Sequence, residues 1–143
     1  MKRYVHIIIL IGILVFIFYQ SALPADISSE ESNYFALWLS EHFHIALDYA
    51  TFFVRKMAHF IEYAILGSSL IVVIIDNVST RKMWMQLVWA WIIGVFYAGT
   101  DEIHQMFVPG RSCELRDILI DGMGVFCGIL VLRLARLKRE KVC

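Results

Sequence analysis

Arg55-Lys56-Met57-Ala58-His59-Phe60-Ile61-Glu62-Tyr63 runs straight into Ala64-Ile65-Leu66-Gly67-Ser68-Ser69-Leu70-Ile71-Val72-Val73-Ile74-Ile75. The second part is almost wholly apolar, and from about Arg55 to Ile75 the two parts together are long enough to cross a bilayer core as a helix. Ionisable side chains in or beside that core are expensive, so the charged start of this segment marks a functional candidate. On a helix, residues three and four apart are neighbours, which puts Arg55, His59, Glu62, Tyr63 and Leu66 on one face. At a rise of about 1.5 Å per residue, Glu62 then lies roughly 10 Å along the axis from Arg55.

Three further segments have the same character. One runs from Tyr4 to about Leu23, one from Met83 to about Met106, and a shorter one from about Asp117 to Leu132. The chain has 143 residues, 59% of them hydrophobic, and a mean hydropathy of +0.67. A soluble domain of that composition would lack the polar residues to cover its core. The expectation is an all-α, polytopic membrane protein with four transmembrane helices, forming a single domain over residues 1–143. Met1-Lys2-Arg3 and Ala22-Leu23-Pro24-Ala25 also resemble the ends of a signal peptide, but the apolar run between them exceeds the usual ~7–15 residues of a signal core, which favours a retained span. His6 reads as an interfacial residue.

Lys and Arg in the short connections set orientation. Lys2-Arg3, Arg81-Lys82 and the basic tail Arg133–Lys141 fall on one side of a four-span bundle. Pro24–Val54 has no Lys or Arg but carries Asp26, Glu30, Glu31, Glu41 and Asp48. This places both termini in the cytoplasm and the acidic segment outside. Ser28-Ser29-Glu30-Glu31 reads as a helix start, followed by Tyr34, Leu37, Trp38, Phe43, Ile45 and Leu47. That pattern fits an amphipathic helix on the outer surface or a packed loop, with His42 and His44 facing solvent.

With this topology, charged blocks far apart in sequence share one leaflet. Tyr97, Asp101, His104 and Gln105 line a face of the third span, next to Glu102. Pro109-Gly110-Arg111 breaks the chain, and Arg116-Asp117 opens the fourth span. Asp117, Asp121, Gly124 and Gly128 share a face there, and Gly124-Val125-Phe126-Cys127-Gly128 is a pattern that permits close helix approach. Gly94 and Gly99 likewise read as packing positions.

Three kinds of chemistry fit the cluster. His59, Glu62, Asp101, Glu102, His104, Asp117 and Asp121 are candidate acids, bases or orienting groups. His59 and Glu62 stand three residues apart and can interact. The same histidines and carboxylates suit a divalent metal, although the spacings are not diagnostic of one and no cofactor is required. Arg55, Lys56, Gln105, Arg111 and Arg116 suit an anionic headgroup, because arginine makes paired contacts with phosphate or carboxylate. Against these stands a purely structural account, in which the cations neutralise the acids and fix helix register. Zero net charge argues against nucleic acid as a partner. Cys113, Cys127 and Cys143 lack the paired spacing of a disulfide framework or a cysteine-rich zinc site.

Arg55-Lys56-x-x-His59-Phe60-x-Glu62-Tyr63-x-x-x-Gly67, then Asp101-Glu102-x-His104-Gln105-x-Phe107-x-Pro109-Gly110-Arg111, then Asp117 and Asp121-x-x-Gly124, resemble the VanZ-like membrane protein family. The resemblance extends over essentially the whole chain, with Cys113 at a variable position. It implies a bacterial cell-envelope protein, since the family's namesake is associated with low-level teicoplanin resistance. It carries no established catalytic roles for the matching residues. Its implied partners are the bilayer and a lipid-linked envelope substrate or lipoglycopeptide. The leading expectation is a protein that acts on or shields such molecules at the outer leaflet; the alternatives are an enzyme whose charged cluster transforms an envelope lipid, and a non-catalytic scaffold or assembly partner.

Overall fold

A computed structural model describes residues 1–78 and 82–140, apart from the side chains of Asp26, Ser29, Glu31, Arg139 and Glu140. Arg81, Lys141 and Cys143, used above for orientation and cysteine placement, lie outside the described residues. Five helices follow in order: α1 (Lys2–Ser21), α2 (Ala25–Phe43), α3 (Leu47–Asn77), α4 (Met83–Gln105) and α5 (Leu115–Glu140). Four of them, all but α2, are long and apolar enough to cross a membrane. The chain is an all-α, four-span membrane protein.

Three helix boundaries differ from expectation. α3 begins at Leu47, two turns before Arg55. Nothing between them breaks a helix, and Asp48 in the first turn complements the helix dipole. Arg55 and Lys56 are therefore inside a helix, where their direction is set. α5 continues past Leu132 to Glu140, because Arg, Leu, Ala and Lys are good helix formers and the basic residues suit a C-terminal end. α2 begins at Ala25, directly after Pro24, whose φ of -53° and ψ of 152° hold the entry to the helix. Ser28 is thus inside the first turn, and its N–H donates to Pro24 O at 3.1 Å. α2 folds back onto α3 as a helical hairpin across His44–Ala46, where His44 takes a left-handed φ of 52°. His42 and His44 are exposed, as expected.

The central contact is between α3 and α5. A Cβ on Gly128 would lie 1.8 Å from Ala64 O, one on Gly124 2.4 Å from Phe60 O, and one on Gly67 2.2 Å from Val125 O. The two backbones therefore touch, as the Gly124–Gly128 spacing predicts. Ser68 Oγ donates to Gly128 O at 2.9 Å across the same seam. Tyr63, Leu66, Ile71, Val125 and Ile129 fill the core around it. Gly94 also packs, its place for a Cβ being 2.6 Å from Val125 Cγ1. Gly99 does not: a Cβ there meets nothing within 4 Å, because its side of α4 faces away from the bundle.

α1 is tied to the bundle at three heights. His6 Nδ1 pairs with Asp76 Oδ2 at 2.6 Å. Tyr97 donates its hydroxyl to Leu14 O at 2.7 Å, and Arg111 Nη2 donates to Gln20 O at 3.3 Å. His6 is thus more than an interfacial residue. The antiparallel run of α1 and α3 brings it to Asp76, which sequence separation concealed. The bundle has a terminal end, carrying Lys2 and the end of α5, and an α2 end, carrying the α1–α2 and α4–α5 connections.

Candidate functional site

The charged residues collect at the α2 end. The helical turn of α3 presents Arg55, His59 and Glu62 to a cavity of about 220 Å³, closed by Gln20, Ser28, Ser32 and Arg111. A neighbouring cavity of about 560 Å³ is lined by Asn33, Arg55, Lys56, Gln105, Arg111 and Asp117, among others. That volume is within the range of small-ligand sites, roughly 300–1,000 Å³. Arg55 and Arg111 line both cavities, so the two share a cationic wall.

The α4–α5 connection places Arg111. Val108 N–H donates to Gln105 O at 3.0 Å, and Arg111 N–H to Val108 O at 3.1 Å. Gly110 supplies the left-handed φ of 75° this turn requires. Ala25 N–H donates to Pro109 O at 3.2 Å, which ties the turn to the start of α2. The guanidinium is then held between α1, α2 and α3. Its Nε and Nη1 are buried without a hydrogen-bond partner. Burial, and next the charge of Arg55, lower its pKa from the ordinary arginine value, while Asp101, Glu102 and Glu62 oppose them. Arginine nonetheless keeps its proton in proteins.

A carboxylate layer lies deeper. Asp101, Glu102 and Asp121 are 4%, 1% and 1% exposed. Glu102 Oε2 accepts the Glu114 N–H at 2.9 Å, just ahead of α5. Asp101 Oδ2 accepts a long bond from Gln105 Nε2 at 3.5 Å. The Ser21 and Tyr63 hydroxyls lie beside Asp101, yet neither reaches hydrogen-bond geometry. Neither oxygen of Asp121 has a partner. Nearer the surface, Lys56 and Asp117 form an ion pair between α3 and α5.

The VanZ/LLP1 family model matches residues 6–136, which contain all of these groups. The chain belongs to the VanZ/LLP1 family. No curated protein and no solved structure gave a match. Membership and the four long apolar helices make this a multi-pass envelope protein of the bacterial plasma membrane.

In this VanZ/LLP1 protein the three charged blocks meet as the topology requires. Arg55, His59, Glu62 and Arg111 share the smaller cavity, and Arg55, Lys56, Gln105, Arg111 and Asp117 the larger one. Asp101, Glu102 and Asp121 are buried near both. Apart from the buried carboxylates, two sequence candidates line neither cavity. Arg116 lines neither cavity; it bonds Glu114 at 2.6 Å and lies over the Phe52 ring, 5.0 Å from its centroid. That bond from Arg116 holds the Glu114 carboxyl below its ordinary pKa. His104 also lines neither cavity; its ring packs on Phe18 at 4.6 Å between centroids, and its Nε2 is buried without a partner near Asp101. His59 Nδ1 is buried without a partner, so the i, i+3 spacing to Glu62 brings the two into one cavity without a bond from that atom. Among the described residues, no three His, Cys, Asp or Glu stand close enough together to hold a metal ion.

Gln20, Ser28, Ser32 and Asn33 are also wall residues, although none belongs to the charged motifs. A signal for two of them was available. Ser28 and Ser32 stand four apart, one helical turn, and Ser32 Oγ donates to Ser28 O at 2.9 Å.

Proposed function

We propose that the α2 end faces the outside of the cell, with both termini cytoplasmic, and that its paired cavities receive the anionic head of a lipid-linked or lipid-anchored envelope molecule. The protein acts on such molecules, or shields them, at the outer leaflet. The observation that carries this reading is Arg111, a half-buried residue whose guanidinium has two buried N–H-bearing nitrogens lacking partners, between two cavities that it lines with Arg55. Buried donors without acceptors are costly, and a phosphate or carboxylate would satisfy both arginines. Lipoglycopeptides of the teicoplanin type are amphiphiles at this leaflet, so altered anchoring of such compounds would give low-level resistance.

A second reading, an enzyme that modifies an envelope lipid, rests on His59 and Glu62. They are titratable groups in the same cavity as the arginine pair and can move a proton beside a bound head. The cell assay is glycopeptide and lipoglycopeptide susceptibility in strains carrying each variant, with membrane levels checked by blotting. Glu62→Gln and Arg111→Gln should each lose the protection given by the parent chain at normal abundance, and Arg55→Lys should lose less. Full protection from all three variants would favour the structural account, in which the charges only fix register. Turnover of a supplied lipid, lost in Glu62→Gln, would favour the enzyme.

Orientation has its own test. Cys113 is exposed on the α4–α5 connection. An impermeant thiol reagent on intact cells should label Cys113 and leave Cys143 untouched; the reverse pattern would invert the topology.

A further inference from the structure

We propose that the groove between α1 and α3 seats the hydrocarbon chain of an amphiphile whose anionic head lies on Arg55 and Arg111, so that the ligand enters sideways from the lipid. This deepens the reading above and rests on it. The groove has a volume of about 220 Å³ and is lined by Ile9, Gly12, Phe16 and Ile65, among others. Its lining also includes Glu62, which lines the smaller arginine cavity as well. Glu62 is thus the point where a polar chamber and an apolar, lipid-facing channel meet. An amphiphile has the same two parts in the same order.

Two observations favour this path. A Cβ on Gly12 would meet nothing within 4 Å, so the groove is open along the middle of α1. From Ile9 to Ile17 it extends about 12 Å along the helix, enough to hold a substantial length of acyl chain. A second apolar groove, of about 540 Å³, lies between α4 and α5 at Val95, Leu119 and Phe126. It is larger, but it shares no lining residue with either arginine cavity. A chain lying there has no head site of the opposite charge joined to it. Because lipid tails are as apolar as the helix surface, the groove supplies little affinity of its own. The head selects the ligand, and the groove sets where its chain must lie. The class of ligand is therefore an outer-leaflet lipid with an anionic head.

The test uses the full chain in bilayer nanodiscs with two photoreactive lipids. One is phosphatidic acid with a diazirine in its acyl chain, the other diacylglycerol with the same chains. Mass spectrometry maps the labelled residues. Labelling of α1 around Gly12 should be several-fold higher with phosphatidic acid than with diacylglycerol, whereas labelling at the α4–α5 groove should be equal for the two. Arg111→Gln should remove the excess. Gly12→Phe should remove it too, while native mass spectrometry still finds phosphatidic acid retained. Equal labelling of α1 by both lipids, in the parent chain alone, would overturn the inference. If phosphatidic acid is retained by the parent and lost from Arg111→Gln while α1 labelling stays indifferent to the head, the head site stands and the chain seat falls. If the parent retains no phosphatidic acid, both fall together.

Discussion

At the seam of α3 and α5, backbone meets backbone: Gly128 faces the carbonyl of Ala64, Gly67 that of Val125, and Ser68 hydrogen-bonds across. One and two turns further toward the α2 end, the same two helices carry Asp121, Asp117, Glu62, His59 and Lys56; there the Lys56–Asp117 ion pair bridges them and the two cavities lie alongside. In the first region nearly every group has a close partner. In the second, buried nitrogens of Arg111 and His59 and both oxygens of Asp121 have none. The difference suggests a division of labour. The glycine seam fixes the rotation and height of α5 against α3, so the acidic turn above it is delivered to the arginines at a set position. The seam can be satisfied by the chain alone, whereas the site retains polar groups that call for something more.

The largest test of this contrast is Gly128→Leu. Any side chain there collides with backbone, which cannot yield as a flexible side chain would. We expect a loss above about 4 kcal/mol, among the most damaging of single substitutions, seen as loss of a monodisperse species in detergent. Normal yield and thermal stability would mean that the seam does not set the helix pair.

Next comes the ion pair at the border of the two regions. Asp117→Ala leaves the Lys56 ammonium largely buried and unpaired, and should cost roughly 3–5 kcal/mol. Replacing both partners, as Lys56→Met with Asp117→Leu, should recover most of that in thermal unfolding, since apolar pairs of similar volume often match a buried ion pair. A double variant as unstable as the single one would show that the pair does more than balance charge.

Glu62→Gln belongs to the site and should separate stability from function. It keeps the size of the side chain and removes its titratable charge. Thermal stability should move by less than about 1 kcal/mol, the scale of substitutions that open no cavity and strand no charge, while protection in the susceptibility assay is lost. A large fall in stability would place Glu62 with the seam.

The smallest effect is expected at Gly99. Its helix face is open, so Gly99→Ala should be neutral or slightly stabilising, by up to about 1 kcal/mol from helix propensity. Gly99→Ala set against Gly128→Ala compares the same substitution on a free face and on a seam. Equal effects would erase the distinction.

Much of this was legible in the chain. Four long apolar segments, a glycine pair at helical spacing and three charged blocks that the topology brings to one end pointed to the bundle, to the closeness of α5 and to a shared polar level. Helix extent and side-chain direction were not legible, for local reasons. Arg55 looks like a helix start because charge stops there, but hydrogen bonding continues back to Leu47. Arg116 looks equivalent to Arg111, yet the turn through Gly110 directs one inward and the start of α5 leaves the other on Glu114 and Phe52. His104 shares a stretch with Asp101 and Glu102, but its direction around α4 meets the Phe18 ring.

What this sequence determined by itself was composition and period: which segments are apolar enough to cross a bilayer, and which residues fall on one face of a helix. Those are properties of neighbours along the chain. Only the tertiary structure decided that His6 meets Asp76, that Tyr97 and Arg111 tether α1, and that Glu62 faces both a cationic chamber and an apolar groove. The physical reason is that each depends on the rotation of one helix about its axis relative to another. That rotation is set by where backbones can touch, at Gly67, Gly124 and Gly128, and not by the period of either helix alone.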